Sequence, residues 1–561
     1  MRVPSLVLVT FTVGAAIADL RCQDVPDLRE RIELLRADLA DLGRRYDVPM
    51  STERRSRLLA RWQQERRELD GLDFARLGRD ARIDWLLLDN HVRRATWQLQ
   101  SETARDAELA GLLPFAFAIV ELAEQKRRLE TLPASDAATK VSEIASSAEQ
   151  VRKELTKGRA LPAALPARAA TRLAALRQSL RQWFEFRDGY DPEFGWWVRT
   201  PFKAADDALL ALHDALRATN PPGEDRSLVG DPIGEQALLR ELAFEWIPYA
   251  PADLVEVAER EFAWCDAEMA KAATAMGCKD WREALEKVKE QHRPPGEQPA
   301  LIRDLAHEAI DFVEQRDLVT VPPLAKECWR MSMMSPQAQR TNPFFLGGET
   351  IQVSFPTDAM AHIEKLQALR SNNEHFCRAT VHHELIPGHW LQQYSQARYR
   401  TYREMFDTPF WIEGWALYWE MRMYELGLAK GPEDKVGMLY WRKHRCARIV
   451  FSLNFHLGRW SGPQCVDYLI ERVGHERAAA EGEVRRSFSG MYSPLYQAAY
   501  MLGGLQLRAL HDELVGPEGM TEKAFHDAVL QQNSIPIAVL RAALGKAPVP
   551  RQLTAWRFAD R

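Results

Sequence analysis

The ten residues Val381–Trp390, VHHELIPGHW, decide how the rest of the chain is read. Zinc hydrolases often carry H-E-x-x-H on a helix, with two histidines four apart on one face and the glutamate beside the metal. Here His383 and Glu384 are followed by His389, six residues after the first histidine, with Pro387 and Gly388 between. On a regular helix each residue turns roughly 100°, so His383 and His389 would point about 120° apart. Pro387 excludes a regular helix, because it has no N–H for the carbonyl of His383 and its ring crowds that carbonyl. Gly388 permits backbone conformations that other residues resist. A Pro-Gly pair can loop out two residues and turn His389 back toward His383, and interruptions of this kind recur at functional sites. His382 shares a face with His389 but stands about 10 Å away along the axis. His383 and His389 are therefore the expected metal ligands, with His382 nearby.

A catalytic zinc takes three protein ligands, usually His and carboxylate, and keeps one position open for water. The segment FWIEGWALYWE, 410–420, offers Glu413 and, seven residues later on the same face, Glu420. The rest of that segment is apolar and aromatic, and a buried carboxylate is costly there unless paired or bound to metal. Glu413, 24 residues after His389, is the expected third ligand, and Glu420 a supporting partner. Glu384 is expected to act as general base on the metal-activated water.

The whole chain has 561 residues, 46% hydrophobic and 27% charged, with a net charge of −5. That is a soluble globular composition, long enough for two or three domains. No Lys/Arg block marks a nucleic-acid or anionic-membrane partner. Arg2, the apolar run Val3 to Ala16 and Ala16-Ile17-Ala18 form a secretory signal with an A-x-A cleavage site, too short to span a membrane. Arg21 before Cys22 does not suit a lipid-attachment box, so a soluble exported product, periplasmic or extracellular, is expected, with no stable membrane insertion. Seven cysteines at scattered positions include no C-x-x-C. Cys265 and Cys278 could pair across a helical turn, or remain buried thiols.

From about Val25 to Thr219 the pattern is helical and charged, broken near 161–168 and at 188–197. The stretch 218–234, ATNPPGEDRSLVGDPIG, is the linker candidate. Helices resume after it, with Ala252-Asp253 in capping territory. Residues 344–356, FFLGGETIQVSFP, read either as a strand from Ile351 to Phe355 or as a loop with a short hairpin. A strand there could align a peptide substrate along its edge. The expected organisation is a signal at 1–18, a helical domain at 19–225 and a mostly helical zincin-like domain with a small β-sheet at 226–561. The fold class is mainly α.

Four ordered blocks, HELIPGHWLQ, EGWALYWE, RCARIVFSLNFHLGRWS at 445–461 and EVRRSFSGMYSPLYQAAYMLGGLQLRAL at 483–510, resemble the signatures of the domain-of-unknown-function-885 family. The resemblance covers roughly 230–555. It implies a mostly helical, gluzincin-like metallohydrolase with one zinc per chain, His383, His389 and Glu413 as ligands and Glu384 as base. It also draws attention to Arg448, His456, Arg486, Gln497 and Tyr500. Two blocks depart from the family pattern. Ser452-Leu453-Asn454-Phe455-His456 stands where Asp-x-Gly-x-His is common, and Pro494-Leu495-Tyr496-Gln497 where Pro-Gly-Gln is common, so either Tyr496 or Tyr500 could face the site.

Attack of water on a carbonyl creates an oxyanion, which a phenol or imidazole N–H can stabilise. Tyr500 is the first candidate for that role and His456 the second. Arg448 and Arg486 either hold a substrate carboxylate bidentately or pair with Glu483 and other helix acids. The expected function is zinc-dependent hydrolysis of an amide bond, in a peptide or another small amide. An esterase or deacylase of a small molecule, and an exported binding protein with a vestigial metal site, are the alternatives.

Overall fold

The computed structural model describes residues 27–157, 161–162, 164–219, 228–339, 344–488, 490 and 492–560. The signal segment, Cys22 and residues 220–227 of the expected linker lie outside them. The chain runs through α1 (Arg29–Arg45), α2 (Thr52–Asp70), α3 (Arg79–Ala107), α4 (Ala116–Arg128), α5 (Ala134–Thr156), α6 (Ala164–Glu185) and α7 (Pro192–Ala218). It continues through α8 (Glu235–Phe244), α9 (Pro251–Ala275), α10 (Trp281–Lys289), α11 (Gln298–Gln315) and α12 (Pro323–Cys328). Then come β1 (Arg330–Met333), α13 (Pro336–Gln339), β2 (Thr350–Val353), α14 (His362–Ser371), α15 (Glu374–Glu384) and α16 (His389–Gln396). The last elements are α17 (Pro409–Glu425), α18 (Pro432–His456), α19 (Gly462–Val473), α20 (Arg477–Phe488), α21 (Tyr496–Leu514), α22 (Glu522–Gln531) and α23 (Ile537–Leu544). The fold is mainly helical, with a small two-stranded parallel sheet among the described residues. None of the described helices is long and apolar enough to cross a membrane.

The early helices follow their apolar periodicity. In α5, Ala137, Val141, Ile144, Ala148, Val151 and Leu155 are buried at three- and four-residue spacing and face the core. Asp191 caps α7 by accepting from Phe194 N at 3.0 Å, with Pro192 in the first turn, where no donor is lost. Asp253 accepts from Ala250 N at 3.1 Å at the start of α9, as its position suggested. The break expected at 161–168 is shorter in the structure: α6 begins at Ala164, and Pro166 sits in its first turn. The six described cysteines are all thiols, so Cys265 and Cys278 are not bridged.

Buried apolar residues form two clusters. The smaller runs mainly from Leu109 to Leu216. The larger joins Leu28 to Val92 with the residues from Leu228 onward. The cores therefore divide within the first 225 residues, because α1, α2 and α3 turn their apolar faces toward the later helices rather than toward α4 to α7.

β1 and β2 pair in parallel, Arg330 opposite Thr350 and Met333 opposite Val353. On its other side β2 is bridged by Leu346, whose N donates to Gln352 O at 3.1 Å and whose O accepts from Gln352 N at 2.8 Å. The chain from Phe344 to Val353 is thus both a turn and a strand. The edge of β2 on which a peptide was expected to align is taken by the protein's own backbone.

The centre of the larger core is α17, α18 and α21. In α17 nearly every residue from Phe410 to Met423 is buried, which a helix apolar on all sides requires. It meets α21 at Gly414 and Gly503, where a side chain on Gly414 would come within 2.6 Å of the Gly503 backbone. This close crossing brings Glu413 of α17 up against the first turns of α21.

Candidate metal centre

The site grows from the interruption first seen in the sequence. Asn373 caps α15, its side chain accepting from His375 N at 3.1 Å and Phe376 N at 3.0 Å. The helix stops at Glu384, and a second helix, α16, begins at His389. The connection is held by Gly388 N donating to His382 O at 3.0 Å and Trp390 N donating to Leu385 O at 2.9 Å. Trp415 of α17 donates its indole N–H to Pro387 O at 2.8 Å and pins the turn from outside. A Cβ at position 388 would overlap the carbonyl oxygen of His383, so only glycine fits. The structure therefore replaces the expected bulge with two separate short helices. The result is the one anticipated: the rings of His383 and His389 have centroids 4.8 Å apart and stand at 89°.

His383, Glu384 and His389 offer donor atoms within 4.8 Å of one another, a group that could hold a metal ion. Glu413 is closer still to both histidines. Its Oε2 lies 3.2 Å from His389 Nε2 and 3.6 Å from His383 Nε2. The opposite ring nitrogens each stand near a side-chain oxygen. His383 Nδ1 is 2.6 Å from Glu420 Oε1, and His389 Nδ1 is 3.4 Å from Gln392 Oε1. Gln392 uses its amide N–H groups on Trp411 O and Ile412 O, both at 3.2 Å, so its oxygen is fixed toward His389 as an acceptor. With a proton held on each Nδ1, both neutral rings present an Nε2 lone pair to the same carboxylate oxygen. Such a convergence is favourable only with a cation, a proton or a metal ion, among the three atoms.

The electrostatics agree. Burial disfavours charge on His383, yet its contacts with Glu413 and Glu420 outweigh burial and push it up to about 9. Burial likewise opposes ionisation of Glu413, but His389 and His383 hold it well below the usual carboxylate range. Burial also opposes ionisation of Glu420, while Arg445 and His383 bring it down to about 2. Arg445 Nη2 donates to Glu420 Oε1 at 3.2 Å. Burial raises Glu384, a condition suited to a group that takes and returns a proton. Phe344 to Gly348 fold over Glu384. Gly348 N donates to its carbonyl at 3.2 Å, and a side chain at Gly347 would overlap its carboxylate.

These groups open onto a cavity of about 220 Å³. Tyr496, Tyr500, Tyr492, Trp441, Arg445, Arg448 and Arg486 line it together with the histidines and the Phe344–Gly347 turn. Both tyrosines left open by the sequence face the site. Tyr496 donates its hydroxyl to Glu413 Oε1, while the Tyr500 ring stacks on His383 at 6.2 Å and 12°. Burial, then the charge of Glu413, raises the titration of both phenols. Arg448 pairs with Glu483 at 2.7 Å, and Arg486 Nε donates to Tyr492 Oη at 3.1 Å.

Other expected participants lie elsewhere. His456 is not among the cavity-lining residues. It ends α18, packs its ring on Phe455 at 5.0 Å, and its carbonyl accepts from Gly234 N at 2.9 Å. Its backbone is three helical turns, about 16 Å, from that of Arg445. Burial lowers it to about 4. His382 bonds Arg378 O through Nδ1 at 2.7 Å, and burial lowers it to about 4. Gln497 is buried, but it too is absent from the cavity wall.

Arg445, Gln392 and Tyr492 were not singled out from the sequence, and the 344–356 stretch was noted for its strand rather than for a turn over Glu384. Arg445 carried a readable signal, because it precedes Arg448 by three residues and so shares its helix face. Gln392 bears the same relation to His389.

The model of the family described as a bacterial protein of unknown function, DUF885, matches residues 39–544. The chain belongs to the DUF885 family. A "putative lipoprotein of unknown function" from Shewanella oneidensis has a similar structure, with a TM-score of 0.66 and 19% identity over 92% of this chain and 99% of that one. A "putative lipoprotein" from Colwellia psychrerythraea aligns with a TM-score of 0.53 and 17% identity, over 88% and 90% of the two chains. At these identities the likeness is one of fold. No curated protein matches the chain.

Proposed function

We propose that this DUF885 protein is an exported zinc-dependent hydrolase that cleaves an amide bond in a short peptide or related small amide. His383, His389 and Glu413 would hold one zinc ion per chain, and Glu384 would be the general base. The observation that carries this reading is the convergence of two histidine Nε2 atoms on Glu413 Oε2, 3.2 and 3.6 Å away, beside a half-buried Glu384. Donors at about 2.0–2.1 Å from a tetrahedral zinc stand roughly 3.3 Å from one another, close to those spacings. The carboxylate behind His383 and the amide oxygen behind His389 are the partners that a metal-bound imidazole needs.

Zinc in such a site supplies Lewis acidity and makes water acidic near neutral pH. Glu384 accepts a proton as the water oxygen bonds to the carbonyl carbon, then delivers it to the nitrogen as the C–N bond breaks. The products are a carboxylic acid and an amine. Tyr500 is placed on the cavity wall beside His383 and is the proposed donor to the oxyanion. His456 has no part in this scheme.

Two observations favour a small substrate and keep an esterase or deacylase as a second reading. The cavity of about 220 Å³ is below the roughly 300–1,000 Å³ of ordinary ligand pockets. The edge of β2 is occupied by Leu346. A vestigial binding site is less well supported, because a purely structural metal has no use for Glu384. The names of the two similar proteins and the Val3–Ala16 leader support export.

The test is hydrolysis of short N-acylated peptides by zinc-loaded protein. Turnover should stop on chelation, return with zinc, and be absent in Glu384→Gln that still binds zinc. Turnover that ignores the chelator would overturn the proposal.

A further inference from the structure

Three arginines surround a cavity that needs only a metal, a base and an oxyanion donor for hydrolysis. Arg448 is the most informative. Its side chain is 2% exposed, its Nε is taken by Glu483 at 2.7 Å, its Nη1 is buried without a partner, and the residue belongs to the cavity wall. A guanidinium N–H buried without an acceptor is costly, and its planar fork matches a carboxylate. Arg445 and Arg448 both pack on the Tyr500 ring, their Cζ atoms 4.7 and 4.2 Å from its centroid. Arg486 completes the wall.

We propose that Arg448, flanked by Arg445 and Arg486, binds the free carboxylate of the residue being released, so that the scissile amide lies one residue from a C-terminus. This rests on the hydrolase reading and narrows it to carboxypeptidase-like cleavage of peptides or N-acyl amino acids.

Distance and charge agree. His383 stacks on Tyr500 at 6.2 Å and Arg448 Cζ lies 4.2 Å from the same ring, so the guanidinium is within about 10 Å of the imidazole. That upper bound admits one extended residue of roughly 3.3–3.6 Å with bonding distance at each end. Two residues would overfill the gap. Glu384, Glu413, Glu420 and Glu483 oppose Arg445, Arg448 and Arg486 around the cavity. A divalent cation at the histidines turns that balance to one net positive charge, which a substrate carboxylate neutralises. A purely structural ion pair accounts for Arg448 Nε on Glu483 but leaves Nη1 unexplained.

The experiment uses the full exported chain with measured zinc content and a library of N-acetyl dipeptides, each as free acid and as C-terminal carboxamide. The free acids should be cleaved with kcat/KM at least about 100-fold above the carboxamides. In Arg448→Gln/Glu483→Gln, which removes both charges of the buried pair, that ratio should fall to within about threefold, with the loss carried by KM. Arg448→Lys, which keeps the charge and loses the fork, should give an intermediate ratio. Melting temperature and zinc content of each variant separate misfolding from loss of the subsite. Equal cleavage of acids and carboxamides by the wild type would overturn the subsite while leaving the hydrolase. So would a ratio that survives in the variants. Selective cleavage of carboxamides ending in Asp or Glu would mean that the arginines read a side chain instead. If zinc-loaded protein cleaves neither form, the hydrolase reading itself falls.

Discussion

Replacing Glu420 by glutamine changes one oxygen to an amide and removes the charge behind His383. Glu420 Oε1 stands 2.6 Å from His383 Nδ1, and Arg445 and His383 keep it ionised to about pH 2. The carboxylate therefore does two things. It fixes the Nδ1–H tautomer, and it raises the basicity of Nε2, the atom aimed at Glu413. Glutamine keeps the volume but can turn its NH₂ toward Nδ1, which favours the tautomer with Nε2 protonated and closed to a metal. Loss of such a partner costs about 10–100-fold in metal affinity, or roughly 1.4–2.8 kcal/mol. The assay is competition for zinc against a chromophoric chelator at pH 7.5, with circular dichroism to confirm the fold. Glu420→Asp, which keeps the charge at a longer distance, should lose less than Glu420→Gln. Wild-type affinity in folded Glu420→Gln would refute the argument that this carboxylate orients His383.

Further outcomes follow from the same geometry. Gly388→Ala forces a methyl onto the His383 carbonyl and should cost at least about 2 kcal/mol of stability, together with zinc binding; wild-type urea unfolding would contradict it. Gly347→Ala pushes on the Glu384 carboxylate and should lower turnover at least about 100-fold while elemental analysis still finds zinc. Tyr496→Phe frees Glu413 Oε1 and should change zinc affinity by about tenfold in the same chelator assay, with no loss of fold. Burial lowers His91, His456 and His526 to about 4 and His475 to about 3, against an ordinary value near 6.5. The unfolded chain then binds more protons than the folded one below about pH 6.5. The stability these groups contribute is complete above that pH and is lost as pH falls toward 4, with these four groups taking up about three and a half protons on unfolding at pH 5. Urea midpoints that stay level from pH 7 to 4.5 would contradict it.

What could be read from the sequence was whatever one helix or one helix break determines. Pro387 and Gly388 forbid a straight helix through VHHELIPGHW, so the return of His389 followed from local backbone chemistry. Glu413 and Glu420 stood out because carboxylates in an aromatic helix need partners, and both have histidine partners in the structure. Contacts made by distant segments left weaker traces. Gly347 reads as an ordinary turn residue until the fold lays it on Glu384. Leu346 gives no hint that it will close the edge of β2. The division of the cores was hidden for the same reason: α1 to α3 look like their neighbours in composition, and only packing shows which core they join. His456 is different. It follows Arg448 by eight residues on one helix, about 12 Å along the axis, so a cavity that takes in Arg448 need not reach it.

The central claim is that this turn, with Glu413, binds one metal ion. Elemental analysis of the purified protein, beside His383→Ala and Glu384→Gln, tests it most directly. The account predicts about one zinc per chain in the wild type, retained in Glu384→Gln and lost in His383→Ala. Wild-type protein without stoichiometric metal after zinc is supplied, or His383→Ala with full occupancy, would contradict it.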